Sequence, residues 1–227
     1  MIHAGIAENT ETVEGLVGPE PVEESAKMHQ IFEGARQVFL RDGFDGASMN
    51  DIARAAGVSK GTVYAYFVGK EQLFEALVIF DRQRQAEQIC QFDRDDPDTR
   101  AVLQRFGTEL MMTMLQPEHL AHLRMVIGIA ARFPKIGQAF YDAGPRCAVN
   151  KLSNYLREKS DAGVLRIADS TLAARQLIEL CKADLFLSAV FAQTAQFGSD
   201  EIEKKISGAL DMFLSYYGKH ETNGADT

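Results

Sequence analysis

Residues 48–70 read SMNDIARAAGVSKGTVYAYFVGK, and their side chains suit contact with a polyanion better than bond-making chemistry. On a helical wheel of 60–67, at about 100° per residue, Val63 and Phe67 fall together and must face a core. Gly61, Thr62 and Ala65, all small, lie opposite, with Tyr64 and Tyr66 flanking them. Such a shallow face lets a backbone approach the major groove of a duplex while the flanking phenols reach base edges or phosphates. Lys60 in the first turn and Lys70 at the next helix start suit phosphate contact. So do the N–H groups of the helix that begins at Ser48.

The elements that position these groups are short. Met49, Ile52, Ala53 and Ala56 form one apolar stripe, and Ser48 stands where it caps the helix. Ser59 caps the next helix, through about Phe67. Two short helices joined by a four-residue turn with a glycine follow the plan of a helix-turn-helix. Ala53 is small where the helices must cross, Gly57 can take the positive φ of the turn, and Val58 closes the small core from the turn. Upstream, Met28, Ile31, Phe32, Ala35, Val38 and Phe39 make a longer stripe that ends at Asp42 and Gly43.

The run from Ile31 to Phe74, with ARQVFLRDGFDGAS, DIARAAGVSKGTVYAYF and KEQLF, resembles the DNA-binding domain of the TetR family of bacterial one-component regulators. The resemblance implies that Ser48, Tyr66 and Lys70 touch backbone phosphates. It implies that Lys60, Gly61, Thr62 and Tyr64 lie nearest the bases, and the capping Ser59 is counted with them in the DNA-binding set. Two departures stand out: Glu23 and Glu24 replace the basic run many members carry before the first helix, and Ala65 is smaller than the residue often found there. Farther on, RFPKIGQAFYDAGP, KLSNYLREKSDAGVLR and DSTLAARQLIEL are similar to the AefR-like branch of C-terminal domains.

The charge pattern fits this reading. The net charge of −8 over 227 residues argues against nucleic acid by itself, but distribution matters more than the total. Residues 1–24 hold six acids and no Lys or Arg, whereas 25–70 hold six basic and four acidic residues. The acidic stretch, with Gly5, Gly15, Gly18, Pro19 and Pro21, reads as a disordered leader. No apolar run approaches the roughly 18 residues of a membrane span, and no basic stretch followed by an apolar core suggests export. Cys90, Cys147 and Cys181 are odd in number and widely spaced, as for reduced thiols in a cytoplasm.

Helical spacing continues over 70–91, 99–115, 118–132, 135–143, 146–162, 170–193 and 199–217, with Pro117, Pro134 and Pro145 near helix starts. The expected fold is all-α: a disordered leader over 1–24, a helix-turn-helix bundle over 25–70, and a larger ligand-binding and dimerisation domain over 71–227. In the last two helices Leu177, Leu180, Cys181, Leu185, Ser188 and Phe191 make one face. Ile202, Ile206, Ala209, Leu210, Phe213 and Tyr217 make the other. Family likeness favours these faces as a four-helix homodimer interface over internal core. Phe106, Met111, Leu123, Ile127, Phe133, Phe140 and Tyr141 suit an adaptable apolar pocket, and equally suit core. Arg124, Arg132 and Asp184 are possible polar anchors for it.

His119 and His122 stand three apart with no acid or cysteine clustered beside them, so no metal and no cofactor is expected. An enzyme is the rival class, with Cys147 or Cys181 as an imaginable nucleophile. Against it, the sequence holds no phosphate loop, GxSxG turn, CxxC pair or HExxH helix. An interaction protein with a worn-out helix-turn-helix is the second rival. The expected function is a cytoplasmic, ligand-responsive repressor on a double-stranded, pseudo-palindromic operator. An activator, or a relative with an unresponsive sensor, is the alternative.

Overall fold

The computed structural model describes residues 22–191 and 197–219, and the expected leader falls largely outside them. Ten α-helices follow one another, with no strand among the described residues. Helix α1 (Val22–Gly46) opens ahead of residue 25 and is interrupted at Gly43. Helices α2 (Met49–Ala55) and α3 (Lys60–Tyr66) have seven residues each, too few to hold as isolated helices. Tertiary packing holds them. Ile31, Val38, Phe39, Ile52 and Val63 are all fully buried in one core. The tightest crossing is Gly34 on Ala56, where a Cβ would meet the Ala56 nitrogen; Ala53 is buried as well. Gly57 adopts φ 65° in the turn, a conformation that favours glycine.

Helix α4 (Lys70–Ile89) joins two cores. Leu73, Phe74, Leu77 and Val78 belong to the first, and Ile89 to the second. Packing does not stop at residue 70. The first core also takes Val126 and Ile129 from α6 (Pro117–Ala130) and Ile136 from α7 (Pro134–Tyr141). Phe44 ties this seam together, its ring 5.3 Å from Phe74 and 5.2 Å from Phe133. The second core is built by α5 (Thr99–Met114), α8 (Cys147–Asp161), α9 (Ser170–Phe191) and α10 (Ser199–Tyr217).

Two expectations need correction. Pro145 does not open a helix but sits inside a π turn, Asp142–Arg146, that runs α7 into α8 without a loop. Proline has no N–H to complete the α-helical ladder, and the wider turn absorbs that gap. Secondly, most of the α9 and α10 faces read as dimer surface are internal. Leu177, Cys181, Leu185, Ile206, Leu210 and Phe213 are at most 2% exposed within one chain. The opposite faces carry exposed Leu172, Leu187, Met212 and Tyr216. Of the expected set, Phe191 is exposed and Ser188 also faces outward.

Candidate nucleic-acid interface and the adjoining cavity

Helix α3 has an inner and an outer side. Val63 and Phe67 are buried in the first core, which fixes the outer side as Gly61, Ala65 and Tyr64. Ser59 Oγ accepts from the Thr62 N–H at 3.0 Å and lies 2.8 Å from Thr62 Oγ1, so the cap also fixes the threonine. Ser48 caps α2 likewise, accepting from the Asp51 N–H at 3.2 Å. A Cβ on Gly61 would touch only Ser59 Oγ, at 3.7 Å. The fold therefore does not require this glycine; what it leaves is a low surface for a partner. Lys60 Nζ lies 5.6 Å from the Tyr64 ring and has no carboxylate partner among the described residues. Tyr64 is exposed, while Tyr66 is half-buried beside Phe67.

Lys70 is differently placed from the expectation. Its ammonium donates to the carbonyl oxygens of Phe44, Asp45 and Ala47 at 2.9, 3.0 and 3.2 Å, and stands over the Phe44 ring. All three protons are spent on the end of α1 and the first residue after it. Lys70 is half-buried, and its three carbonyl bonds hold the segment ahead of the Ser48 cap.

A cavity of about 450 Å³ lies behind this bundle, walled by α4, the end of α5, α6, α7, the π turn, α8 and α9. Most of its lining is apolar, including Ala86, Ile89, Leu123, Phe140, Ile178 and Phe186. The main polar groups inside are Arg82 and His119, where Arg82 Nη1 donates to His119 Nδ1 at 2.8 Å. Burial, reinforced by the Arg82 charge, holds the His119 pKa down to about 3, so the imidazole is neutral and can accept. Burial lowers Arg82 as well, to about 10, which leaves it charged at neutral pH. His122, one turn on, is held down to about 4 by burial. The Cys181 thiol is pushed up to about 12 by burial in the second core, a poor setting for a nucleophile.

Residues 31–77 match the bacterial regulatory proteins of the tetR family, and residues 101–219 match the C-terminal domain of AefR-like transcriptional repressors. The chain belongs to the TetR family. The HTH-type transcriptional repressor Rv1474c of Mycobacterium tuberculosis is 37% identical over 201 residues, 83% of this chain and 91% of that one. A TetR-family regulator from Mesorhizobium loti superposes with a TM-score of 0.82 at 27% identity, covering 86% of this chain and 98% of its own. The Flavonoid-responsive Regulator FrrA does so with a TM-score of 0.72 at 31% identity, covering 86% and 99%. The chain spans about a third of the length of the other curated relatives it matches.

Within this TetR-family chain the structure brings only some of the expected pocket residues together. Leu123, Phe140 and Tyr141 line the cavity. Phe106 and Met111 are buried in the second core instead, and Phe133 packs on Phe44. Ile127 is turned to solvent. The expected anchors serve elsewhere: Arg124 donates to the Ala189 and Val190 carbonyls, Arg132 pairs with Asp45, and Asp184 pairs with Lys205. Arg82 was missed. It sits in DRQRQ, a stretch whose polar run looks like a solvated helix face; only the fold turns position 82 inward.

Proposed function

We propose that this protein is a homodimeric repressor that holds a pseudo-palindromic operator with α3 of each protomer and releases it when a small apolar or amphipathic molecule fills the cavity. One observation carries the reading: α4 has one end in the DNA-binding core, through Leu73, Phe74 and Leu77, and the other in the cavity wall, through Arg82, Ala86 and Ile89. A ligand shifts an equilibrium only by its differential affinity for the two states, and α4 is the element both sites share. A hundredfold loss of operator affinity requires a preference for the released form of about 2.7 kcal/mol. That FrrA, a relative of similar length, is flavonoid-responsive supports a responsive sensor.

Ser48, Ser59, Lys60, Gly61, Thr62, Tyr64 and Tyr66 make the DNA face of this reading, in a DNA-binding part over 25–70. Residues 71–227 form the ligand-binding and dimerisation part, with α4 shared. The exposed apolar residues Leu172, Leu187, Met212 and Tyr216 on α9 and α10 make the dimer surface. Paired helices from two chains then form a four-helix interface that sets the recognition helices about 34–36 Å apart. The work is binding, not catalysis, and it takes place in the cytoplasm.

The test is to sequence genomic fragments retained by the purified protein, then screen small molecules for release. A discrete palindromic site and a stabilising ligand that weakens operator binding are expected. Should every stabilising ligand leave operator affinity unchanged, the sensor reading is wrong. For the dimer, Met212→Asp combined with Tyr216→Asp is expected to give a folded monomer with little operator affinity, read by light scattering and anisotropy. A folded monomer that still binds tightly would sink the dimer.

A further inference from the structure

Arg82 is a buried cation with no anion in contact, the charge of Asp81 reaching it only through space. It is 4% exposed, and no carboxylate pairs with it among the described residues. Its neighbour Asp81 is taken by Arg36, whose Nη2 and Nε lie 2.6 and 3.3 Å from the two carboxylate oxygens. What Arg82 does meet is uncharged: the His119 imidazole at 2.8 Å, and the Phe140 ring, whose centroid is 5.0 Å from Cζ. Both orient a guanidinium and neither neutralises it. An unpaired buried charge is costly, so a counter-ion arriving at this point gains what the protein does not supply.

The surroundings are shaped to keep the group there. Gly144 in the π turn lies against the Arg82 stem, where a Cβ would come within 3.3 Å of Cδ. The widened turn thus makes room for the side chain beside the cavity. Of the other charged residues that line it, Lys182 and Glu179 pair at 2.7 Å, which leaves Arg175 as a second positive charge. Apart from Gln85 and Tyr141 the remaining wall is apolar, with Ile89, Leu123, Ile178 and Phe186.

We propose that the cavity binds an amphipathic carboxylate, its head group paired with the Arg82 guanidinium and its apolar body lying along Ile89, Leu123, Ile178 and Phe186. This rests on the reading of the cavity as the effector site and names the chemistry of that effector. A guanidinium offers two parallel N–H groups to a carboxylate, a geometry that neither an alcohol nor an amide can match. The volume is in the range of small-molecule sites, large enough for a medium-length alkyl chain or a bicyclic ring system.

The experiment is calorimetric titration of the full chain with decanoate and 4-phenylbutyrate, each against its primary amide, which keeps the shape and removes the charge. At least one acid is expected to bind about tenfold or more tightly than its amide. Arg82→Met is expected to erase that preference, and Arg82→Lys to keep part of it. Losing the unpaired charge should also raise the Tm of the ligand-free Arg82→Met protein by about 2–4 °C.

Equal binding of acid and amide, an acid preference that survives Arg82→Met, or no acid binding up to about 1 mM would each overturn the proposal. The wild-type ratio decides even if Arg82→Met does not fold. Operator affinity in the same samples separates this proposal from the reading beneath it. An acid held through Arg82 that leaves operator affinity unchanged ends the effector reading and keeps the site. An amide that binds as well as its acid and releases the operator does the reverse.

Discussion

Lys70 and Arg82 are cations on one helix, and their surroundings are opposite. At the N-terminal end of α4, Lys70 gives its three protons to three carbonyls, beside a core where Phe74 packs edge to face on Phe39 and Phe44. Twelve residues on, Arg82 is more deeply buried, finds one neutral acceptor, and borders a cavity. The first arrangement is complete as it stands and can only be damaged. The second has a charge with no contacting carboxylate and two histidines held neutral beside a cavity. A fully hydrogen-bonded cation at the DNA-binding end and a cavity-facing one at the other suit the two parts that the proposed function assigns to them.

The largest expected effect that separates the two ends is acid sensitivity. His119 and His122 have folded pKa values near 3 and 4, below the unfolded value near 6.5. Below pH 6.5 the unfolded chain therefore takes up protons that the native histidines refuse. Their stabilisation is fully present above pH 6.5 and is lost as pH falls from 6.5 towards 4, by up to about 1.4 kcal/mol per pH unit for each histidine. The carboxylates held low by ion pairs, such as Asp96 beside Arg105, add their losses only below the ordinary carboxylate range. Urea unfolding between pH 7 and 4.5 should show this slope, and His119→Gln with His122→Gln should flatten it. Hydrogen exchange should open the second half of α4 and α6 before α1–α3. A slope unchanged in the double variant would break the contrast.

Packing gives the next effect. Phe74 is fully buried, with ring centroids of Phe39 and Phe44 at 4.7 and 5.3 Å. Phe74→Ala should cost about 3–5 kcal/mol, read by denaturant midpoint. Phe140 already borders open volume and is half-buried, so Phe140→Ala should cost clearly less. Equal costs would mean that the cavity end is as tightly packed as the DNA-binding end.

Local features were legible in the sequence. The Ser48 and Ser59 caps, the Gly57 turn, and the inward Val63 and Phe67 follow from spacing within a few residues, and the structure places them so. Long-range choices were not. Helices α9 and α10 are apolar on both sides: Leu185 and Phe213 face one way, Leu187, Met212 and Tyr216 the other. Periodicity cannot tell which stripe turns inward when both are apolar. Arg82 and Lys70 look alike as surface cations until partners from other helices are in place. Phe133 and Ile127 lie one on a domain seam and one in solvent because α6 packs against the first core as well as beside the cavity.

The smallest effect separates two lysines that spacing alone treats as equivalent. Lys60 is exposed on α3, pairs with no carboxylate among the described residues, and lies near the Tyr64 ring. Lys60→Ala should leave the unfolding midpoint within about 0.5 kcal/mol of the parent. On DNA it should weaken binding and lower the magnitude of the log–log salt slope by about 0.9, the share of one neutralised phosphate. Lys70→Met should behave in the opposite way. Its carbonyl partners lose a charged donor, at a cost of about 1.5–3 kcal/mol in stability, while the salt slope stays that of the parent. Operator affinity in that variant should fall only as far as the loosened loop displaces the Ser48 cap and α2. The measurement is anisotropy at four or more salt concentrations alongside urea unfolding, for both variants. If Lys70→Met lowers the salt slope by as much as Lys60→Ala, the Lys70 ammonium reaches phosphate despite its three carbonyls. The distinction between a positioning lysine and a contacting one then fails at this end of α4.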